Sequence, residues 1–161
     1  MGRKTQIKCN GSEERFEEIA RFVYDRFGNS IKYIADVARW QEMLSRILSK
    51  KYNYDVEVID PRHYQIVGVK NRECYYKSDM AGYYDLIIGL HPDGAIRDVV
   101  ESAKTRQVLV VPCCNFWDKT KKLGTKEMIV EISKWLYENK IKYEIITFKF
   151  KGPKNIGILT Y

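Results

Sequence analysis

Apolar positions along this chain switch between a helical spacing and unbroken β-rich runs, and the switches mark out its elements. Ser12 is placed to cap a helix, Glu13 and Glu14 suit its positive end, and Phe16, Ile19, Ala20, Val23 and Phe27 share one face until Gly28 ends it. This predicts about four helical turns packed on a sheet. A β-rich run from Ile31 follows, then the turn Arg39-Trp40-Gln41-Glu42 and a helix from Met43 to Lys51. Trp40, Leu44, Ile47 and Leu48 give that helix its apolar face, and a second β-rich run, Asp55 to Asp60, leads into Pro61 and Arg62. Strand, turn, amphipathic helix and strand make a βαβ unit over Ile31 to Arg62. Met1 to Asn10 is polar and basic with no period, and reads equally as a strand, an arm or a tail.

Beyond Pro61, Gln65–Val69 and Glu73–Lys77 are each candidates for the next short strand, with Ser78-Asp79-Met80 as the loop after the second. Tyr84 to Leu90 is a continuous apolar run, the mark of a buried central strand. His91-Pro92-Asp93-Gly94 then leads to a helix with Ile96, Val99, Val100 and Ala103 inward and Asp93 as expected N-cap. Gln107 to Pro112 is another buried strand and ends at Cys113-Cys114-Asn115-Phe116-Trp117. After a loop bearing Lys119, Lys121 and Lys122, a helix is predicted from Thr125 to Asn139. Lys142–Lys149 and Asn155–Thr160, joined across Gly152-Pro153, are close enough to be antiparallel neighbours. With no repeat, low-complexity segment or linker, residues 1–161 read as one domain: an arm and helix over 1–30 and a core sheet over 31–161. The class is α/β, an open and mostly parallel sheet ending in an antiparallel hairpin.

Composition changes this picture mainly through charge. The formal net charge is +7, which favours an anionic partner, nucleic acid foremost, over a surface kept basic for solubility. Hydrophobic residues at 45% and charged residues at 30% are ordinary for a globular chain, which lets the charge stand out. Cys9, Cys74, Cys113 and Cys114 are too few and too irregular for a disulfide scaffold, and with only His63 and His91 to assist they predict no metal site. Free thiols in a reducing cytoplasm are the expectation. No apolar run approaches the ~20 residues of a membrane span, and no signal peptide is evident.

The candidate chemistry lies at strand ends. In nucleotide-binding α/β proteins an acid about twenty positions into a βαβ unit meets a ribose hydroxyl, and Asp36 to Asp60 fits that spacing. The dull alternatives are Asp60 capping the turn before Pro61 and Asp36 bonding its neighbouring loop. His91 and Asp93 follow the central strand, where ligands of open sheets bind, and either can serve as a base; otherwise Asp93 caps a helix and His91 bonds backbone. Cys113 and Cys114 read as small buried residues rather than nucleophiles, since no base partner is identifiable. Asn115, Phe116 and Trp117 sit where aromatics could stack on a base, with core packing the equal alternative. Lys119, Lys121 and Lys122 suit phosphates or form a solvated loop.

This order of elements resembles the class I S-adenosylmethionine-dependent methyltransferases over nearly the whole chain. The resemblance implies a three-layer Rossmann-like fold with strand order 3-2-1-4-5-7-6. Ile34-Ala-Asp-Val-Ala38 resembles the family's first strand, with Asp36 beside the cofactor, and Val56-Glu-Val-Ile-Asp60 the second, with Asp60 on the ribose. Ser78-Asp79-Met80 resembles the loop whose acid meets the adenine amino group. Asp85 to Asp93 looks like the fourth strand and the loop facing the reacting methyl, which implicates Leu90, His91 and Asp93. The pairing of Gly-Leu-His-Pro-Asp-Gly with Val-Val-Pro-Cys-Cys is similar to a branch that includes some transfer RNA ribose methyltransferases. One departure stands out: where the family has a glycine run, this chain has Ala38 to Glu42, so Ala38 and Arg39 would have to form the cofactor turn with bulk in it.

Two functions follow. The first is an S-adenosylmethionine-dependent methyltransferase acting on RNA, transfer RNA foremost, with a protein partner or second copy supplying any missing recognition surface. The second is a methyltransferase-like binding protein without cofactor, its turn filled by Trp40. A dinucleotide-dependent oxidoreductase shares the βαβ unit but is disfavoured by the missing glycines and the closing hairpin.

Overall fold

The computed structural model describes residues 14–37, 43–63, 67–150, 152 and 154–161. Seven strands form one sheet in the order β3-β2-β1-β4-β5-β7-β6: β1 Tyr33–Val37, β2 Asp55–Ile59, β3 Lys70–Arg72, β4 Leu86–Leu90, β5 Gln107–Val111, β6 Tyr143–Thr147 and β7 Ile156–Thr160. The first five pair in parallel, whereas β7 runs antiparallel to both β5 and β6. The strand order and closing hairpin agree with the sequence reading.

Among the described residues four α-helices cover the sheet: α1 Glu14–Phe27, α2 Met43–Lys50, α3 Ile96–Glu101 and α4 Thr125–Glu138. The period of two along each strand divides the core between the faces. Ile34, Leu86, Ile88 and Leu109 point toward α1 and α2, where Phe16, Ile19, Leu44 and Leu48 are fully buried. Ala35, Ile87, Val108 and Val110 point the other way, onto Val99 and Val100 of α3 and Met128 and Ile132 of α4. Burying each large apolar side chain contributes roughly 1.5–3 kcal/mol, so both layers are needed to hold the sheet. Among the described residues no helix is long and apolar enough to cross a membrane.

Polar groups set the register. The Asp85 carboxylate accepts from the backbone N–H groups of Lys32 and Tyr33 at 2.8 Å each, fixing the start of β1 against β4. Thr160 Oγ1 accepts from Val108 N–H at 2.9 Å and ties β7 to β5.

Two expectations are corrected. The third strand lies between the two proposed segments: it is Lys70–Arg72, and Glu73–Lys77 leaves the sheet, while residues 64–66 fall outside the described ones. This edge strand joins β2 through its backbone and carries charged side chains, Lys70 pairing with Asp55 and Arg72 with Glu57 at 2.8 Å each, so hydrophobic patterning could not reveal it. Asp93 does not cap the helix after β4. It lies inside a 3₁₀ turn, Asp93–Ala95, and the cap positions of that turn and of α3 go to Pro92 and Ala95, neither with a side-chain cap bond.

Candidate functional site

The chain runs outward from β1 through β2 to β3, then returns to place β4 on the other side of β1. Such a reversal leaves a crevice beyond the carboxyl ends of the strands, because the connections on its two sides diverge. Here the crevice is a 330 Å³ cleft, at the low end of the range for small-molecule sites, about 300–1,000 Å³. Val37 and Ile59 form its floor, Pro61 and Arg62 one wall, Tyr75, Tyr76 and Lys77 a second, and Pro92, Gly94 and Asp98 the third. Tyr76 is locked by a 2.7 Å hydrogen bond with Ser102, and burial pushes its phenol up to about 12, so it stays neutral. Asp98 accepts from Ser78 N–H at 3.0 Å and lies 3.8 Å from the Lys77 ammonium. That fastens the loop of the second wall to α3.

Asp36, on β1 one residue before the cleft floor, is only 1% exposed, and among the described residues its Oδ2 has no hydrogen-bond partner. Burial, with the charge of Asp60 adding to it, pushes this carboxyl up to about 7. Asp60 follows β2. Its Oδ1 accepts from the Arg62 backbone N–H at 2.8 Å and from Nε at 3.0 Å, and its Oδ2 accepts from the guanidinium at 2.6 Å. The capping role weighed for Asp60 is therefore present, as an Asx turn closed by an ion pair. Carboxylate oxygens keep two lone pairs each, so a ribose hydroxyl could still bond there.

After β4 the chain turns sharply. His91 (φ 52°) and Asp93 (φ 46°) both take left-handed backbone, which costs a residue with a side chain roughly 1–2 kcal/mol. The pair of bends brings the chain back over the strand end, a placement where stored strain often accompanies function. The His91 ring lies beside the Lys154 backbone, and among the described residues its buried Nε2 has no hydrogen-bond partner. Burial, then the nearby charges of Arg15 and Lys154, lower its pKa to about 4, so the ring is neutral and only weakly basic. Leu90, just before it, is packed in the core on the α1 side.

The other expected positions divide. Ala38 and Arg39 lie outside the described residues. Asp79 is exposed within the 3₁₀ turn Ser78–Tyr83, outside the cleft lining; Asp98 is the acid that reaches the cleft there. Trp117 cannot stack on a base: it is 5% exposed, its ring meets Trp135 edge-on, and the Arg97 guanidinium lies 3.8 Å above it. Asn115 orders its own loop, donating to the carbonyls of Asp118 and Lys121 at 2.8 Å each. Phe116 is half-buried with the Lys119 ammonium 5.0 Å over its ring. Lys121 pairs with Glu131 at 3.3 Å, while Lys119 and Lys122 are exposed. Cys113 is half-buried and Cys114 exposed, against the expectation that both are buried.

Sequence reading missed Arg62, Tyr75, Tyr76 and Asp98. Arg62 had a local signal, because Asp-Pro-Arg favours the Asx turn that pairs it with Asp60. The other three are brought to the cleft by tertiary packing alone.

No protein-family model matches the chain, and no curated protein sequence matches it. Solved structures do match. Ribosomal protein L11 methylase of Lactobacillus delbrueckii subsp. bulgaricus is similar at a TM-score of 0.62 and 16% identity, over 93% of this chain and 79% of that one. Precorrin-6y C5,15-methyltransferase of Geobacter metallireducens GS-15 gives 0.60 and 9% over 99% and 92%. The T. Thermophilus 16S rRNA N2 G1207 methyltransferase, solved with AdoMet and guanosine, gives 0.59 and 17% over 94% and 40%. The chain therefore has the class I methyltransferase fold. At these identities the likeness is one of fold, and the chain spans less than half of the rRNA enzyme.

Proposed function

We propose that this chain is an S-adenosylmethionine-dependent methyltransferase that acts on RNA, with transfer RNA the first substrate class to try. The observation that carries this is the cleft at the β1/β4 reversal, bounded by two tyrosines and by Asp98 and Arg62, on a methyltransferase fold. The described residues fit the adenosine half of the cofactor. Exposed Tyr75 offers an apolar face to a base, with buried Tyr76 as fixed wall, Asp98 can accept from an amino group, and Asp60 can accept from ribose. The unpartnered Oδ2 of buried Asp36 suits a donor or cation arriving from the cofactor's amino-acid half. Asp79 and Leu90 would act by shaping the loop and strand end rather than by contact, and Ala38 and Arg39 would complete the turn.

When bound, S-adenosylmethionine supplies a methyl group activated by a sulfonium. The chain's own task is then chiefly to position the acceptor. Asp93 and His91 would do so from the loop after β4. His91, at about 4, is too weak a base near neutral pH and serves by orientation, as Asp93 does from the same loop. Lys119 and Lys122, with the +7 net charge, would hold phosphate. Likeness to an rRNA methyltransferase supports RNA as the substrate class. A cytoplasmic protein fits its free thiols.

One observation favours a second reading, a binding protein without cofactor: Arg62 already occupies both oxygens of Asp60. Calorimetric titration with S-adenosylmethionine and S-adenosylhomocysteine separates the two. Micromolar binding weakened by Asp60→Ala supports the enzyme. A folded protein that shows no heat at millimolar ligand refutes it and leaves the binding protein.

A further inference from the structure

Beyond the cleft, a second cluster of reactive groups forms past the end of β5. Along a strand, neighbouring side chains point to opposite faces, which would hold adjacent cysteines apart. The ladder stops at Val111, Pro112 has no N–H to continue it, and the chain bends at Cys114. The bend turns both thiols to one side, with Cys113 Sγ 3.4 Å from Cys114 Sγ. Lys154, from the start of the segment leading into β7, and Asp93, from the turn after β4, both lie close enough for their charges to act on this pair. The remaining described cysteine, Cys74, is half-buried and packs beside the apolar layer under α3 and α4.

We propose that Cys113 and Cys114 form a redox-active vicinal dithiol, which low-molecular-weight disulfides oxidise to an intramolecular disulfide with Lys154 promoting the first attack. A thiolate is the nucleophile in exchange, and a neighbouring ammonium stabilises negative charge that develops on sulfur. The Cys113 thiolate attacks one sulfur of the disulfide, joining it and expelling a thiolate that takes a proton from solvent. Cys114 then loses its proton, and its sulfur displaces the second thiol from Cys113. Two protein thiols are oxidised and one disulfide is reduced to two thiols.

Geometry also sets the direction of control. Adjacent α-carbons across a trans peptide are about 3.8 Å apart, below the usual span of roughly 4.4–6.8 Å for a disulfide. The bond is thus strained and easily reduced, as suits a reversible modification rather than a structural staple. The inference does not depend on methyl transfer.

The full-length protein is incubated with oxidised glutathione, quenched with N-ethylmaleimide and digested with trypsin. The tryptic peptide Gln107 to Lys119 carries both thiols. The expected product is that peptide two mass units lighter and unalkylated, restored by dithiothreitol, under conditions where Cys74 stays alkylated. Cys114→Ser should trap the glutathione adduct on Cys113, and Lys154→Met should slow oxidation roughly tenfold. A peptide that stays doubly alkylated, or holds a lasting glutathione adduct in the unsubstituted protein, overturns the proposal. An oxidation rate unchanged in folded Lys154→Met removes the role given to Lys154.

Discussion

Asp36 and His91 give the protein two opposed responses to pH, and separating them tests the electrostatics of the site. Raising a carboxyl from 3.8 to about 7 means that its ionised form is harder to keep in the fold than in the unfolded chain, by about 4 kcal/mol. Between those values the folded protein holds a proton that the unfolded chain has shed. This contribution is fully present below pH 3.8 and is lost as pH rises through 7. His91 works the other way. Its pKa falls from 6.5 to about 4, so the unfolded chain takes up a proton that the fold refuses, and stability drops by about 3 kcal/mol as pH falls through that window. In the natural protein the two slopes nearly cancel. Asp36→Asn keeps the shape without the titration, so its stability relative to the natural protein should climb by about 4 kcal/mol from pH 4 to 8. His91→Asn, chosen because asparagine tolerates left-handed backbone, should show a relative stability that falls by about 3 kcal/mol between pH 4 and 7. Urea unfolding followed by tryptophan fluorescence at each pH gives both difference curves, and other titrating groups drop out of them. Difference curves flat to within about 1 kcal/mol refute the assignment.

Trp117→Ala should destabilise the protein by roughly 3–5 kcal/mol, because it empties a core position against Trp135; a loss under about 1 kcal/mol by urea unfolding would return Trp117 to the surface. Asp98→Ala should weaken S-adenosylhomocysteine binding roughly tenfold by calorimetry, since it removes an acceptor and releases Ser78. Glu101→Ala, exposed on the same helix, should leave that affinity unchanged, and equal effects would count against the cleft. Reversing Lys119 and Lys122 to Glu should weaken retention of a single-stranded RNA and flatten its salt dependence by roughly 1–2 in log-log slope. An unaltered slope would move the RNA face elsewhere.

How much was legible depended on whether a residue's role is local. Leu86 to Leu90 and Val108 to Val111 were readable because strands buried on both faces must be apolar throughout. The short spacing between the last two strands allowed only an antiparallel hairpin. Lys70–Arg72 was not readable, since it joins β2 through the backbone ladder, with exposed ion pairs to Asp55 and Glu57, and has no apolar pattern of its own. Trp117 showed the same ambiguity from the other side: an aromatic after a strand end can be core or surface, and only α4 and Arg97 close over this one.

The site divides along the same line. Asp36 and Asp60 were expected from their spacing within one βαβ unit, a constraint carried by a single stretch of chain, and neither is among the residues lining the cleft. Tyr76, Asp98 and Lys154 come from separate segments and meet their neighbours only after the crossovers are made. The Asp36 carboxyl near 7 and the neutral His91 likewise belong to the fold, because burial sets both and no residue is buried until its neighbours pack. The chain's own pattern of polar and apolar residues was sufficient for the elements and their order, since that information is local. Which groups share a cleft, and in what charge state, was decided by packing that joins residues distant in sequence.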